Sequence, residues 1–337
     1  MQSEGGPPAQ VQAEDNVTEA NDGNHDDGDS AFAPSEGDES STASITSSIL
    51  EYRTKNGRVY HREGKYFLPN DERELDRLDL QHHMFLLTFD NKLCLCPIPQ
   101  DKQLHRVLDV GTGTGIWAMD FADDHPESKV TGVDLSPTQP SFVPPNVFFE
   151  VDDLEKPWTF NQKFNFIHCR MMTVSFSDWP GFFERAFEFL EPGGYIEVTD
   201  TSLPARADDD SLHTNSALQK WCEMFLEASR NIGRPANSAE SYKSQMEAAG
   251  FQNVVERKFR WPLDPWPEDQ KLKMLGRCTF ANVYQDLTGI SVELFTNGLE
   301  LSTEEVEVLL VDVRKEMKDT KIHAYFPVHV FYAQKPS

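Results

Sequence analysis

The chain has 337 residues, 38% of them hydrophobic, with a formal net charge of −25 and a mean hydropathy of −0.54. That is apolar material for one good core and a smaller satellite, and a surplus of acids this large disfavours direct nucleic-acid binding, which needs clustered Lys and Arg. No run approaches a membrane span, no basic and apolar leader is legible, and five scattered cysteines suit a reducing interior.

Residues 1–44 carry eleven acids, no Lys or Arg, and abundant Gly, Ser, Asn and Pro. Such a stretch cannot bury enough apolar surface to offset its conformational entropy, so it reads as a disordered acidic tail. Residues 45–104 form a preamble with a hairpin turn at Asn56-Gly57. A helix is expected from Asp71 to Thr88, with Asn70 or Asp71 as its cap. Cys94 and Cys96, one residue apart, are too close for a usual zinc pair and read as small apolar fillers. No metal site is expected.

The core domain is read as 105–337. Val107 to Val110 is an apolar run carrying one acid, Asp109, and reads as a buried strand. Gly111, Thr112, Gly113 and Gly115 then turn the chain into a helix that opens at Ile116. A strand turning through glycines into a helix N-terminus lets a ligand approach the backbone, where free N–H groups await acceptors. The spacing is G-x-G-x-G; the dinucleotide fingerprint would need glycine where Ile116 stands. VTGVDLS is a second strand ending in Asp134, nineteen residues after Gly115. A carboxylate at that point can accept from two vicinal ribose hydroxyls.

NVFFEVDD ends a third strand in Asp152 and Asp153, and FNFIHCR is a fourth, closing on His168 and Arg170. Ser177 or Asp178 caps the next helix, with Pro180 in its first turn. A Pro192-Gly193-Gly194 turn precedes the fifth strand. Helices follow to about Asn231 and over Ala239–Ala249, then a sixth strand over FQNVVERKFRW. About sixty residues, roughly 262–323, are inserted before the final strand, Ala324–Gln334, and must carry their own structure. Ser302 and Glu305 form a capping box there, ahead of an apolar helical face. Asp208, Asp209 and Asp210 read as a solvated loop. Alternating strands and helices imply β-α-β units and a parallel sheet.

In GTGTG, the Asp of GVDLS, the acid pair of VDDLE and the PGG turn, in that order, the chain resembles the class I S-adenosylmethionine-dependent methyltransferases. NGRVYH, YFLPNDERELDRLDLQHH, GVDLSPTQP and IHAYFPVHVFYAQKP resemble, more narrowly, the fungal LaeA-like methyltransferases of secondary metabolism, some regulators and others tailoring enzymes. The resemblance implies an α/β fold: a doubly wound, mostly parallel, seven-stranded Rossmann-like sheet with N-terminal and C-terminal helical additions. It implies S-adenosyl-L-methionine as cofactor, with Asp109 and Gly111 to Gly115 backing its methionine part and Asp134 its ribose. Asp152 would take the adenine amino group, with the Asp153 backbone beside the ring.

Methyl transfer from a sulfonium is an in-line displacement governed by positioning, and an oxygen or nitrogen acceptor can need a base. His168, at a strand end, and His82 or His83, on the preamble helix, are the base candidates. Arg170, Trp261 and Trp266 are candidates for the acceptor, the tryptophans by stacking on a flat molecule. The preamble and the insert are expected to form lid and substrate wall. The expected function is methylation of a small-molecule acceptor in the cytoplasm. The alternative is a nuclear regulator working through protein partners.

Overall fold

A computed structural model describes residues 52–61, 66–99 and 102–337. The reading of residues 1–44 as a disordered tail falls outside them. β1 (Tyr52–Lys55) and β2 (Arg58–His61) form a hairpin closed by Asn56-Gly57. α1 spans Glu72–Thr88, and its cap is Asp71, whose carboxylate accepts from the Glu74 N–H. β3 (Arg106–Val110), α2 (Ile116–Asp124), β4 (Lys129–Asp134), β5 (Val147–Val151) and β6 (Phe164–Arg170) follow. α3 (Trp179–Phe189) is capped by Asp178, which accepts from the Gly181 N–H, and it runs directly into β7 (Leu190–Thr201). Then come α4 (Ala217–Asn231), α5 (Tyr242–Ala248) and β8 (Gln252–Pro262). The insert supplies α6 (Gln270–Tyr284), α7 (Leu287–Gly298) and α8 (Thr303–Glu316) before β9 (Tyr325–Gln334).

Seven strands make one sheet in the order β5-β4-β3-β6-β7-β9-β8. The first five of these are parallel, and β9 runs antiparallel to both neighbours, β7 and β8. Val107, Leu108, Val110, Val130 and Val133 are all fully buried. Helices cover both faces of these strands, which is why they read as apolar runs and not as alternation. Strand order reverses between β3 and β6, opening a crevice at their carboxyl ends, where ligands of such sheets bind.

The Pro-Gly-Gly turn needs correction. Leu190 already pairs with Phe164, and pairing resumes at Tyr195 with Phe166. Pro192, Gly193 and Gly194 are therefore the irregularity inside β7, not a turn ahead of it. In α8 the capping box is complete: Ser302 Oγ accepts from the Glu305 N–H, and Glu305 accepts from the Ser302 N–H. Val306, Leu310 and Val313 then bury one face. α6 packs along α1, while α7 and α8 pack on α4.

Charge pins the hairpin to the insert. Arg53 and Lys55 reach the fully buried Glu293 at 2.5 and 2.8 Å. Arg58 joins Asp71 at 2.6 Å and also pairs with Asp286, so one guanidinium ties the starts of α1 and α7 together.

Glu197, in β7, is also fully buried. Its Oε2 accepts from the Leu95 and Cys96 N–H groups at 2.7 and 2.6 Å, and Oε1 has no partner. Burial pushes its pKa from the ordinary 4.5 up to about 7, despite those two hydrogen bonds. A carboxyl raised on folding favours the protonated native state. Its contribution is full below the unfolded value and is lost as pH rises through the folded one. Glu197→Gln keeps an acceptor for both amides and removes the titration. It is expected to melt higher than wild type at about pH 8 and to flatten the fall in Tm from about pH 5 to 8. Thermal melts at both pH values check this, and an unchanged slope would rule Glu197 out as its source.

Candidate active site

The crevice is a pocket lined by the carboxyl ends of β3, β4 and β6, the loops after them, the loop after β5, and one face of α1. Asp109, Gly111, Thr112, Gly113, Asp134, Asp152, Asp153, His168 and Arg170 all line it. Gly115 does not. It precedes α2, and a Cβ there would meet the Phe149 ring at 2.3 Å, so its smallness serves packing beneath the loop. Gly113 is different. Its φ is +57°, and a Cβ would stand 3.3 Å from Leu78 of α1, between the walls of the pocket.

The expectation of free N–H groups holds at the start of α2, which no side chain caps, but not at the glycines themselves. Gly111 and Thr112 both donate to the Val133 carbonyl, at 2.9 and 3.0 Å, and Gly115 donates to Thr112. Gly113 donates to Asp134 Oδ2 at 2.9 Å. These donors hold the loop on β4, so the glycines offer close approach and the free N–H groups are those of the first turn of α2.

Asp134 also accepts from the Ser136 N–H at 3.0 Å. With the Leu135 N–H, which also bonds it, three of a carboxylate's roughly four acceptor positions are engaged. Burial raises its pKa against these hydrogen bonds. Asp152 is exposed, and its Oδ1 accepts from the Asp153 N–H at 2.7 Å. The amide placed beside the adenine ring by resemblance is therefore engaged by its own neighbour. Thr138 and Gln139 had no role in the sequence reading, yet both donate to the Gly113 carbonyl, at 2.8 and 2.7 Å. Their signal was position: they stand in the SPTQP run just after Asp134. Tyr66, Pro69 and Asn70, with Glu74, Leu75, Leu78 and Gln81 of α1, complete the opposite wall.

His168 and Asp109 are register partners on adjacent strands, and His168 Nδ1 lies 2.7 Å from Asp109 Oδ1. Asp109 Oδ2 accepts from the Thr112 hydroxyl at 2.6 Å. A carboxylate only accepts, so Nδ1 carries the proton and the neutral ring keeps its lone pair on Nε2. Burial lowers the His168 pKa, although Asp109 pulls the other way. Trp117 stacks on the ring at 3.6 Å and 6°, fixing its plane. Nε2 has no hydrogen-bond partner among the described residues and is not sealed from the pocket that His168 lines.

His82 is 3% exposed and lies outside the lining. Arg170 Nη2 donates to its Nδ1 at 3.0 Å. Arginine only donates, so the His82 proton sits on Nε2 and is given to Asp120 Oδ2 at 2.9 Å. Burial, with Arg170 beside it, pushes the His82 pKa down to about 3. Both ring nitrogens are engaged, which removes His82 as a base. His83 is exposed and outside the lining, because neighbouring helical residues face different ways. Burial lowers Arg170 to about 10, which leaves it charged at neutral pH.

Trp261 is a core residue, and Trp266 is half-buried outside the core clusters. Trp261 is 1% exposed, donates to the Thr88 hydroxyl at 2.9 Å and packs on Phe85. Trp266 donates to the Ala324 carbonyl at 3.1 Å and lies against His323. Neither lines the pocket, nor does any residue of the insert, which backs α1 from its far side. The loop acids are not merely solvated: Asp208 pairs with Arg260 and Asp209 with His323. Among the described residues no group of three or more His, Cys, Asp or Glu could hold a metal ion. No helix there is long and apolar enough to cross a membrane.

Residues 80–256 match the family model of a methyltransferase domain. The chain is 39% identical to the methyltransferase pytC of Aspergillus terreus, over 90% of this chain and 94% of that protein. It is 35% identical to the probable methyltransferase tdiE of Emericella nidulans, over 87% and 92%. To the protein-methionine methyltransferase laeA of Emericella nidulans it is 34% identical, over 85% and 77%.

Proposed function

The chain belongs to the S-adenosylmethionine-dependent methyltransferases of fungal secondary metabolism, and from that premise we propose that its acceptor is a small metabolite, methylated at oxygen or nitrogen. When bound, S-adenosylmethionine supplies a methyl group on a cationic sulfur, open to in-line displacement. The residues present fit that donor. The absence of a Cβ at Gly113 leaves room beside the loop, and Asp134 keeps acceptor capacity for a ribose hydroxyl. Asp109, Gly111 and Thr112 would back the methionine part, with Asp152 and Asp153 at the adenine end.

The observation that carries the reading is the Asp109–His168 pair beside the glycine loop. Asp109 fixes the tautomer, Trp117 fixes the ring, and Nε2 is left to take a proton from an acceptor O–H or N–H. Such a base is of use to a catalyst and of none to a scaffold. A small acceptor in the cytoplasm accompanies this reading. The regulatory alternative, in the nucleus with protein partners, draws on the acidic residues 1–44 and the likeness to laeA. The likeness to pytC, at 39% identity, exceeds that to laeA, at 34%, which supports the enzyme.

Asp134→Ala is expected to weaken S-adenosylmethionine binding by roughly ten- to a hundredfold, the scale of losing a charge-assisted hydrogen-bond pair. Titration calorimetry on the two proteins measures it. A fungal strain carrying the variant should accumulate one metabolite lighter than its normal product by the mass change of a single methylation. Mass-spectrometric profiling decides between the readings: collapse of many unrelated metabolites together would favour the regulator.

A further inference from the structure

Among the described residues that line the pocket, Arg170 is the sole Lys or Arg, set among Glu74, Asp109, Asp134, Asp152, Asp153 and Glu155. Those acids have partners of their own. Glu74 holds Arg77 at 2.6 Å, Glu155 holds Arg234 at 2.6 Å, and Asp109 holds His168. Asp134 holds backbone amides. Arg170 has no such match: no carboxylate of the described residues lies within salt-bridge distance. Its guanidinium rests over the Phe85 ring at 4.7 Å and gives one nitrogen, Nη2, to His82. Nε and Nη1 have no described partner, and neither is sealed in protein.

Even a half-buried guanidinium is ordinarily matched by an acid, because withdrawing a charge from water is costly. Here a neutral imidazole stands on one side and an aromatic face lies beneath, both of which orient a cation without neutralising it. Two donors remain in the planar fork that suits a carboxylate. We infer that Arg170 docks a carboxylate carried by one of the two reactants, and that His82, held by Asp120, is the positioning residue that aims it. Two sources share that chemistry: the amino-acid end of the methyl donor and an acid group on the acceptor. The inference rests on the methyltransferase reading and adds to it the class of group recognised.

The test compares full-length wild type with Arg170→Gln by calorimetry. The probes are S-adenosylhomocysteine and 5′-methylthioadenosine, which lacks the amino and carboxylate groups. If the donor supplies the carboxylate, Arg170→Gln loses about tenfold or more for S-adenosylhomocysteine and little for methylthioadenosine. If the acceptor supplies it, S-adenosylhomocysteine binds both proteins alike, and benzoate binds the loaded wild type but not the loaded variant. Arg170→Lys, which keeps charge without the fork, should fall between them. His82→Gln, with an acceptor and a donor of its own, should retain binding that His82→Leu loses.

Equal losses for both nucleosides, or a variant matching wild type with every probe, would overturn the proposal. Wild type that binds neither nucleoside overturns the methyltransferase reading itself, a failure recognisable without any variant.

Discussion

A Gly113→Val protein is expected to fold and to bind no S-adenosylmethionine within the range of calorimetry, a loss of roughly a hundredfold or more, about 2.7 kcal/mol. The residue sits at φ +57°, where a Cβ costs about 1–2 kcal/mol, and the added methyls enter the gap between the loop and Leu78. The Gly113 N–H also donates to Asp134, and its C=O accepts from Thr138 and Gln139, so changing φ and ψ here disturbs three contacts. Gly233→Val is the control. Gly233 has φ +76° with nothing within 4 Å of its Cβ, and it lies outside the pocket lining. It carries the same backbone strain, so its cofactor affinity should match wild type. Loss of affinity in both variants would mean that strain, not occupancy of the pocket, is responsible.

His168→Gln tests the chemistry. The glutamine amide can still donate to Asp109, so the buried carboxylate keeps a partner, but no basic lone pair remains. The rate of methyl transfer is expected to fall by roughly 10²- to 10⁴-fold, the usual contribution of a general base. Affinity for S-adenosylmethionine should change little. Single-turnover measurement on the precursor accumulated by the Asp134→Ala strain separates the two quantities. The wild-type pH profile supplies a second check. Burial lowers the His168 pKa, so the neutral, proton-accepting form persists to lower pH than for an ordinary histidine. The acid limb should therefore lie below about pH 6.5 and vanish in the variant. A rate unchanged by the substitution would remove the base role.

Much of the fold was legible because local rules determined it. Short, mainly apolar stretches marked β3 and β4, Asp178 with Pro180 marked the start of α3, and Ser302 with Glu305 marked α8. The pocket lining was partly legible, since glycines and acids at strand ends announce themselves by spacing. Partnership was not. His82 and Arg170 are 88 residues apart, and Trp261 reaches Thr88 across 173. No periodicity could show that one histidine is fully engaged while another, His168, keeps a nitrogen open. The tryptophans misled because a Pro-rich neighbourhood suggests a loop, whereas the Trp261 indole lies in the core between β8 and α1. The Pro-Gly-Gly run misled similarly, since the same residues serve a turn or a bulge and only strand pairing decides.

α1 shows the pocket Glu74, Leu75, Leu78 and Gln81, and on its other side Arg77 donates to Asn282 of α6 at 3.0 Å. One wall of the cavity is therefore carried by a segment that never meets what the cavity holds. Changes in α6 can tilt or slide that wall while each lining residue stays the same. Two relatives with identical linings would then accept different molecules, and their preferences would follow the exchange of residues 262–323 between them. Substrate choice in this architecture can be inherited from behind the wall.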